Sequence, residues 1–325
     1  MISWISLIGG LGLLYIGAQT LIKGGAGLAL RLGLSPLIIG LTVIAYGTSS
    51  PEMVVSLQAS LAGNGAIAIG NVVGSNICNI ALILGLCALV SPISSSAQII
   101  RREIPIMIGL TVLVSLFLLD ETLARWEGAV LFLGCIVYTV TTVRAAGKET
   151  AENKLVAGEF KSEITHEGEP AEVKLGLGLA ITYTLVGLGV LVGGSHFFVG
   201  GAVRLAEGWG ISQTVIGLTI VAVGTSMPEL ATSMVAAIRK HGDVALGNIV
   251  GSNIFNIVGI LGLSALIVPI KAPGINVVDL SAMLVLAVVL FPLAKSDGKI
   301  SRVEGACLLA VYVAYTWWLI AQNAG

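Results

Sequence analysis

Apolar residues fill this chain in long unbroken blocks, and the few polar residues inside the blocks recur at fixed places. A block of about 20 apolar residues is long enough for a helix to cross the hydrocarbon core of a bilayer. Ten are read, at about 4–30, 36–62, 66–91, 104–119, 124–145, 175–203, 213–238, 244–269, 277–294 and 303–321. The period-two alternation of a β-barrel is absent. The pattern predicts an all-α membrane protein of ten transmembrane helices.

The polar interruptions are duplicated. GLTVIAYGTSSPE at 40–52 returns as GLTIVAVGTSMPE at 217–229, with 9 of 13 positions identical. GNVVGSNICNIALILG at 70–85 returns as GNIVGSNIFNIVGILG at 247–262, with 12 of 16 identical and the same displacement of 177 residues. The repeat motifs thus span 40–85 and 217–262. Between the halves, 146–173 is rich in Glu and Lys and reads as a solvated cytoplasmic linker. It separates a first five-helix repeat at 1–145 from a second at 174–325. Five spans per half is odd, so the copies enter the membrane from opposite sides and form an inverted-topology pair.

Composition agrees, with 56% hydrophobic and 11% charged residues, against roughly a quarter charged in soluble domains. The net charge of −1 points to no partner, and nothing calls for nucleic acid, an organic cofactor or an obligatory protein partner. The placement of charge is more telling. With the N-terminus outside, thirteen of the 17 basic residues fall in inside segments. Three fall outside (Arg125, Arg204 and Lys271), and Lys23 lies within the first span. Basic loops stay cytoplasmic, which predicts an N-out, C-out protein. The first span lacks the basic leading region of a cleaved signal. The four cysteines read as small apolar fillers, and no histidines are spaced as a metal-binding pair.

Residues four apart share a helix face. Thr48 and Glu52 are so related, as are Thr225 and Glu229, Ser75 and Asn79, and Ser252 and Asn256. Pro51 and Pro228 interrupt their helices in mid-span. Carbonyls freed near Ala45 and Ala222 would add oxygen ligands. Hard cations such as Ca²⁺ take six to eight oxygens from this kind of inventory.

Simple packing competes with this reading for the hydroxyls and amides. It is preferred for Asn71, Asn76, Asn248 and Asn253, and for Gly70–Gly74 and Gly247–Gly251 as GxxxG contacts. The glutamates differ, because a charge at the bilayer centre costs roughly 2.5–3.5 kcal/mol. Lys23, the basic residue available within the spans, has only Gly200 as its counterpart, so a static ion pair cannot serve both acids. Their formal −2 is cancelled by one divalent cation, two Na⁺ or two protons. Ca²⁺/Na⁺ exchange, H⁺/Ca²⁺ exchange and a passive cation channel all stay open here. No HExxH or GxSxG arrangement supports an enzyme.

The paired G-T-S-x-P-E and G-N-x-x-G-S-N-I-x-N motifs, together with the ten-span layout, resemble the sodium/calcium exchanger family of the cation/Ca²⁺ antiporters. The resemblance implies Ca²⁺ moved against Na⁺ through midplane sites. On it, Glu52 and Glu229 are the central Ca²⁺ carboxylates. Thr48, Ser49, Thr225 and Ser226 serve the ions, Ala45 and Ala222 give carbonyls, and Ser75, Asn79, Ser252 and Asn256 complete the set. The potassium-dependent branch carries Asp where Asn256 stands, so no K⁺ requirement is expected. The GNxxE of proton-coupled relatives is absent. The short linker leaves no room for calcium-sensing domains, as in a prokaryotic member of the inner membrane.

Overall fold

A computed structural model of the chain describes residues 2–32, 34–152, 175–209, 222–271 and 277–323. Its helices are α1 (Ile2–Leu32), α2 (Pro36–Thr48), α3 (Ser50–Leu61), α4 (Gly65–Val90), α5 (Ile99–Asp120), α6 (Arg125–Glu152), α7 (Leu177–Gly208), α8 (Ala222–Thr225), α9 (Met227–Ile238), α10 (Gly242–Ile267), α11 (Val277–Lys295) and α12 (Arg302–Asn323). Among the described residues, eight helices are long and apolar enough to cross a membrane, or nine with α2 and α3 counted as one bent span. The second block, expected as one helix over 36–62, is thus broken, with a 46° bend at Ser49. Of the seventh block only 222–238 is described, as α8 and α9; 213–221 lies outside the described residues. So does most of the linker, with α6 continuing to Glu152.

Burial places α4 and α10 at the centre. Of their apolar stretches 78% and 89% is buried, against 33% or less for the remaining long helices. Those outer helices turn side chains such as Leu119, Val303 and Trp317 outward, as hydrocarbon-facing surfaces do. Backbone groups in hydrocarbon must be satisfied internally, which is why the spans are helical.

α1 and α7 pack along each other through glycines seven apart: Gly10, Gly17 and Gly24 on one, Gly187, Gly194 and Gly201 on the other. The two sets are displaced by 177 residues, like the motifs. A methyl at Gly17 would lie 2.8 Å from the Leu191 backbone nitrogen, and one at Gly194 2.9 Å from that of Leu14. Only a residue without Cβ permits this approach.

The all-helical expectation omits two short ribbons. β1 (Ile93–Ser94) pairs antiparallel with β4 (Lys299–Ile300), and β2 (Thr122–Leu123) with β3 (Ile270–Lys271). Each joins a loop of the first half to a loop of the second, and each buries its isoleucine or leucine.

Candidate ion-binding site

The site is built where two helices break. Pro51 and Pro228 each occupy the second position of a helix, α3 and α9, where a missing N–H is tolerated. The carbonyls four residues earlier, at Gly47 and Gly224, lose their helical donor. Serine hydroxyls replace it: Ser50 Oγ donates to Gly47 O at 2.6 Å, and Ser195 Oγ, from α7, to Gly224 O at 2.7 Å. The released carbonyls are therefore these two, and both are occupied. The Ala45 carbonyl, expected to be freed, keeps its helical bond from the Ser49 N–H at 3.0 Å, which occupies one of the two lone pairs of a carbonyl oxygen.

Restarting the helices puts Glu52 and Glu229 in the first turns of α3 and α9, each 1% exposed. The partial positive charge of a helix N-terminus favours a carboxylate there. Each acid is then held by the opposite repeat. Ser49 Oγ donates to Glu229 Oε1 at 2.7 Å, and Ser226 Oγ to Glu52 Oε1 at 3.0 Å. Ser226 Oγ also lies 3.4 Å from Ser75 Oγ, and Ser252 Oγ donates to Ala45 O at 3.4 Å. Thr48 Oγ1 reaches Ala45 O and Asn248 Oδ1 at 3.3 and 3.4 Å. Ala222 and Thr225 are the end residues of α8, directly before Ser226. Sequence-distant candidates thus meet in one buried cluster.

Asn79 and Asn256 sit in matching π-helical turns, Cys78–Ile83 and Asn256–Leu261, where the backbone departs from the regular spacing that the i, i+4 reading assumes. The other four asparagines hold helices together. Asn71 Nδ2 donates to Ser56 Oγ at 2.8 Å and Asn248 Nδ2 to Ser233 Oγ at 2.9 Å, one bond in each repeat. Asn76 and Asn253 face each other between α4 and α10. Gly247 and Gly251 approach Leu37, Leu41 and Ala45 closely. Of the equivalent segment 214–222, all but 222 lies outside the described residues.

Of the nine buried side-chain oxygens without a hydrogen-bond partner among the described residues, four belong to candidate site residues: Glu52 Oε2, Glu229 Oε2, Asn79 Oδ1 and Asn256 Oδ1. They form two repeat-related pairs, and all are acceptors. Buried acceptors are normally satisfied, and what these lack is a positive group. Among the described residues no ion pair reaches either glutamate; the one within 4 Å is Arg102–Glu103. Lys23, considered as a buried cation, is exposed and lies over the Tyr183 ring at 5.2 Å. No cluster of three Asp, Glu, His or Cys side chains occurs among the described residues. The buried cluster therefore combines two carboxylates with neutral oxygens, a donor set that suits hard cations held reversibly.

The family model described as sodium/calcium exchanger protein matches residues 2–144 and 179–321, two segments offset by the same 177 residues. The chain belongs to the sodium/calcium exchanger family. Relatives in this family include the sodium/calcium exchanger MaX1 of Methanosarcina acetivorans, 34% identical over 97% of both chains. The putative antiporter CaxA of Alkalimonas amylolytica is 38% identical over 99% of this chain and all of that one. A solved structure of the sodium–calcium exchanger NCX_Mj, soaked with Na⁺ and Sr²⁺, superposes with a TM-score of 0.80. It is 32% identical and covers 96% of this chain and 97% of its own. The exchanger family is one of transporters, and this member is an integral membrane protein.

Two features of this cluster escape sequence reading. Ser195 comes from another helix, and its one available signal is that position 227 is Met where the first repeat has Ser50. The Ser49 and Ser226 contacts cross between repeats, which no spacing along one helix reveals.

Proposed function

We propose that this exchanger moves Ca²⁺ against Na⁺ as a secondary antiporter, working by alternating access in a prokaryotic cell membrane. Ions bind between the repeats at Glu52 and Glu229, with Thr48, Ser49, Thr225, Ser226, Ser75, Asn79, Ser252, Asn256 and the carbonyls of Ala45 and Ala222 as neutral ligands. The observation that carries this is the set of four unpartnered acceptor oxygens, contributed equally by the two repeats, with no basic side chain paired to the two glutamates among the described residues. Two carboxylates matched by one Ca²⁺ or by Na⁺ ions give the charge balance that exchange needs, since an uncompensated charge at the bilayer centre is costly.

The topology that serves this function is ten spans in two inverted repeats of five, at 1–145 and 174–325, with both termini outside. The ribbons support it. In that arrangement the loops carrying β1 and β4 both lie inside and those carrying β2 and β3 both lie outside, as their pairing requires. Asn256, an amide where a further acid would attract a monovalent ion, supports independence from K⁺.

Tracer Ca²⁺ flux into proteoliposomes, with Na⁺, K⁺ and pH gradients imposed one at a time, tests the proposal. Uptake driven by outward Na⁺ and indifferent to K⁺ is expected. Uptake driven by pH alone would make the chain an H⁺/Ca²⁺ antiporter, and flux blind to every counter-ion would make it a channel.

A further inference from the structure

The amides of Asn79 and Asn256 each carry one oxygen and one nitrogen, and only the oxygen can bind a cation. Something must choose which end faces the ion. Asn76 Nδ2 donates to the backbone carbonyl of Asn253 at 3.3 Å and faces the Met283 sulfur at 3.7 Å. Both are acceptors, so the NH₂ of Asn76 is fixed on that side and its Oδ1 on the other. There it takes the Asn256 Nδ2 donor at 2.9 Å. The other repeat repeats the logic: Asn253 Nδ2 faces the Asn76 carbonyl at 3.5 Å and the Met107 sulfur at 3.7 Å, while its Oδ1 accepts from Asn79 Nδ2 at 2.9 Å. In each ring the nitrogen of the site amide is consumed and its oxygen is left without a partner.

We infer that Asn76 and Asn253 are positioning residues for the ion site. Each accepts the N–H of the opposite repeat's site asparagine, turning Oδ1 of Asn256 and Asn79 toward the cation and admitting only a hydrogen-bond donor at those places. This rests on the exchanger reading above and names residues that act through the ligands.

The first test is thermal unfolding of ion-free protein in detergent at a single pH. Asn76→Ala, Asn256→Ala and the double variant form a cycle. Because one hydrogen bond joins the two amides, the double variant should melt above the temperature that the two single losses added together would give. Additive losses overturn the inference. In flux assays, Asn76→Ala and Asn253→Ala should each raise the half-saturating Ca²⁺ concentration about tenfold, with a smaller change in maximal rate. Wild-type half-saturation in both would also overturn it. Where Asn76→Ala does not fold, the cycle is run on Asn253→Ala and Asn79→Ala, whose amides are joined by the equivalent bond at 2.9 Å, and additive losses there count against the inference in the same way. Unfolding needs no transport, so a wild type that moves no Ca²⁺ defeats the exchanger reading alone.

Discussion

The Ser49 hydroxyl donates to the Glu229 carboxylate at 2.7 Å, although the two residues are 180 positions apart and belong to different repeats. Its counterpart, Ser226 to Glu52, closes the pair. Hydrogen bonds to charged groups contribute about 1.5–3 kcal/mol. Ser49→Ala and Ser226→Ala should therefore weaken Ca²⁺ binding about 10- to 100-fold. Isothermal titration with Ca²⁺ on the purified variants checks this, and unchanged affinity in both would remove the serines from the site.

Glu52→Gln and Glu229→Gln keep the shape of the side chain and remove its charge. Each should lower Na⁺-driven Ca²⁺ exchange by on the order of 100-fold or more while expression and monodispersity in detergent stay at wild-type levels. Each variant also leaves one glutamate to be neutralised, so residual Na⁺ binding by either would be consistent and retained Ca²⁺ exchange would not.

Ser195→Ala strips the Gly224 carbonyl of the hydroxyl that replaces its helical donor. A buried carbonyl left without a donor costs about 1–3 kcal/mol. No neighbour in sequence can substitute, because position 227 is Met. The variant should melt several degrees below wild type, and Ser195→Thr, which keeps the hydroxyl, should recover part of that loss. Equal melting of Ser195→Ala and wild type would dismiss the role.

Gly17→Leu and Gly194→Leu should prevent α1 and α7 from closing on each other, because the new side chains meet backbone atoms that cannot yield. Loss of folded protein by size-exclusion fluorescence is expected for both. Gly12 has open space at its Cβ position. Gly12→Ala should be neutral or stabilising by up to about 1 kcal/mol.

Lys240 adopts a left-handed conformation with φ 62°, where its equivalent in the first repeat is Gly63 with φ 76°. Both residues terminate a helix with matching bonds: Asn64 N–H to Ala59 O at 2.8 Å, and His241 N–H to Ala236 O at 2.9 Å. A left-handed residue with a Cβ is strained by roughly 1–2 kcal/mol. Lys240→Gly should raise thermal stability, by about 1 kcal/mol or less once glycine's chain entropy is counted. A lower melting temperature would show that the lysine side chain contributes more than its backbone strain costs.

Much of this protein was legible along the chain. Unbroken apolar blocks specify membrane helices because hydrocarbon leaves the backbone no other partner. The 177-residue displacement announces two equivalent halves, and Glu52 and Glu229 stand out because an acid in such a block needs a counter-charge. What the chain could not express is pairing between helices. That Ser49 serves Glu229, that Ser195 caps Gly224, and that Asn76 takes the nitrogen of Asn256 are decided only when the helices that carry them pack together. The reason is geometric: residue spacing reports which side chains share one helix face, whereas an ion site is made of faces from several helices. The π-helical turns at Asn79 and Asn256 then shift those faces locally, so even the within-helix register at the site is settled by packing.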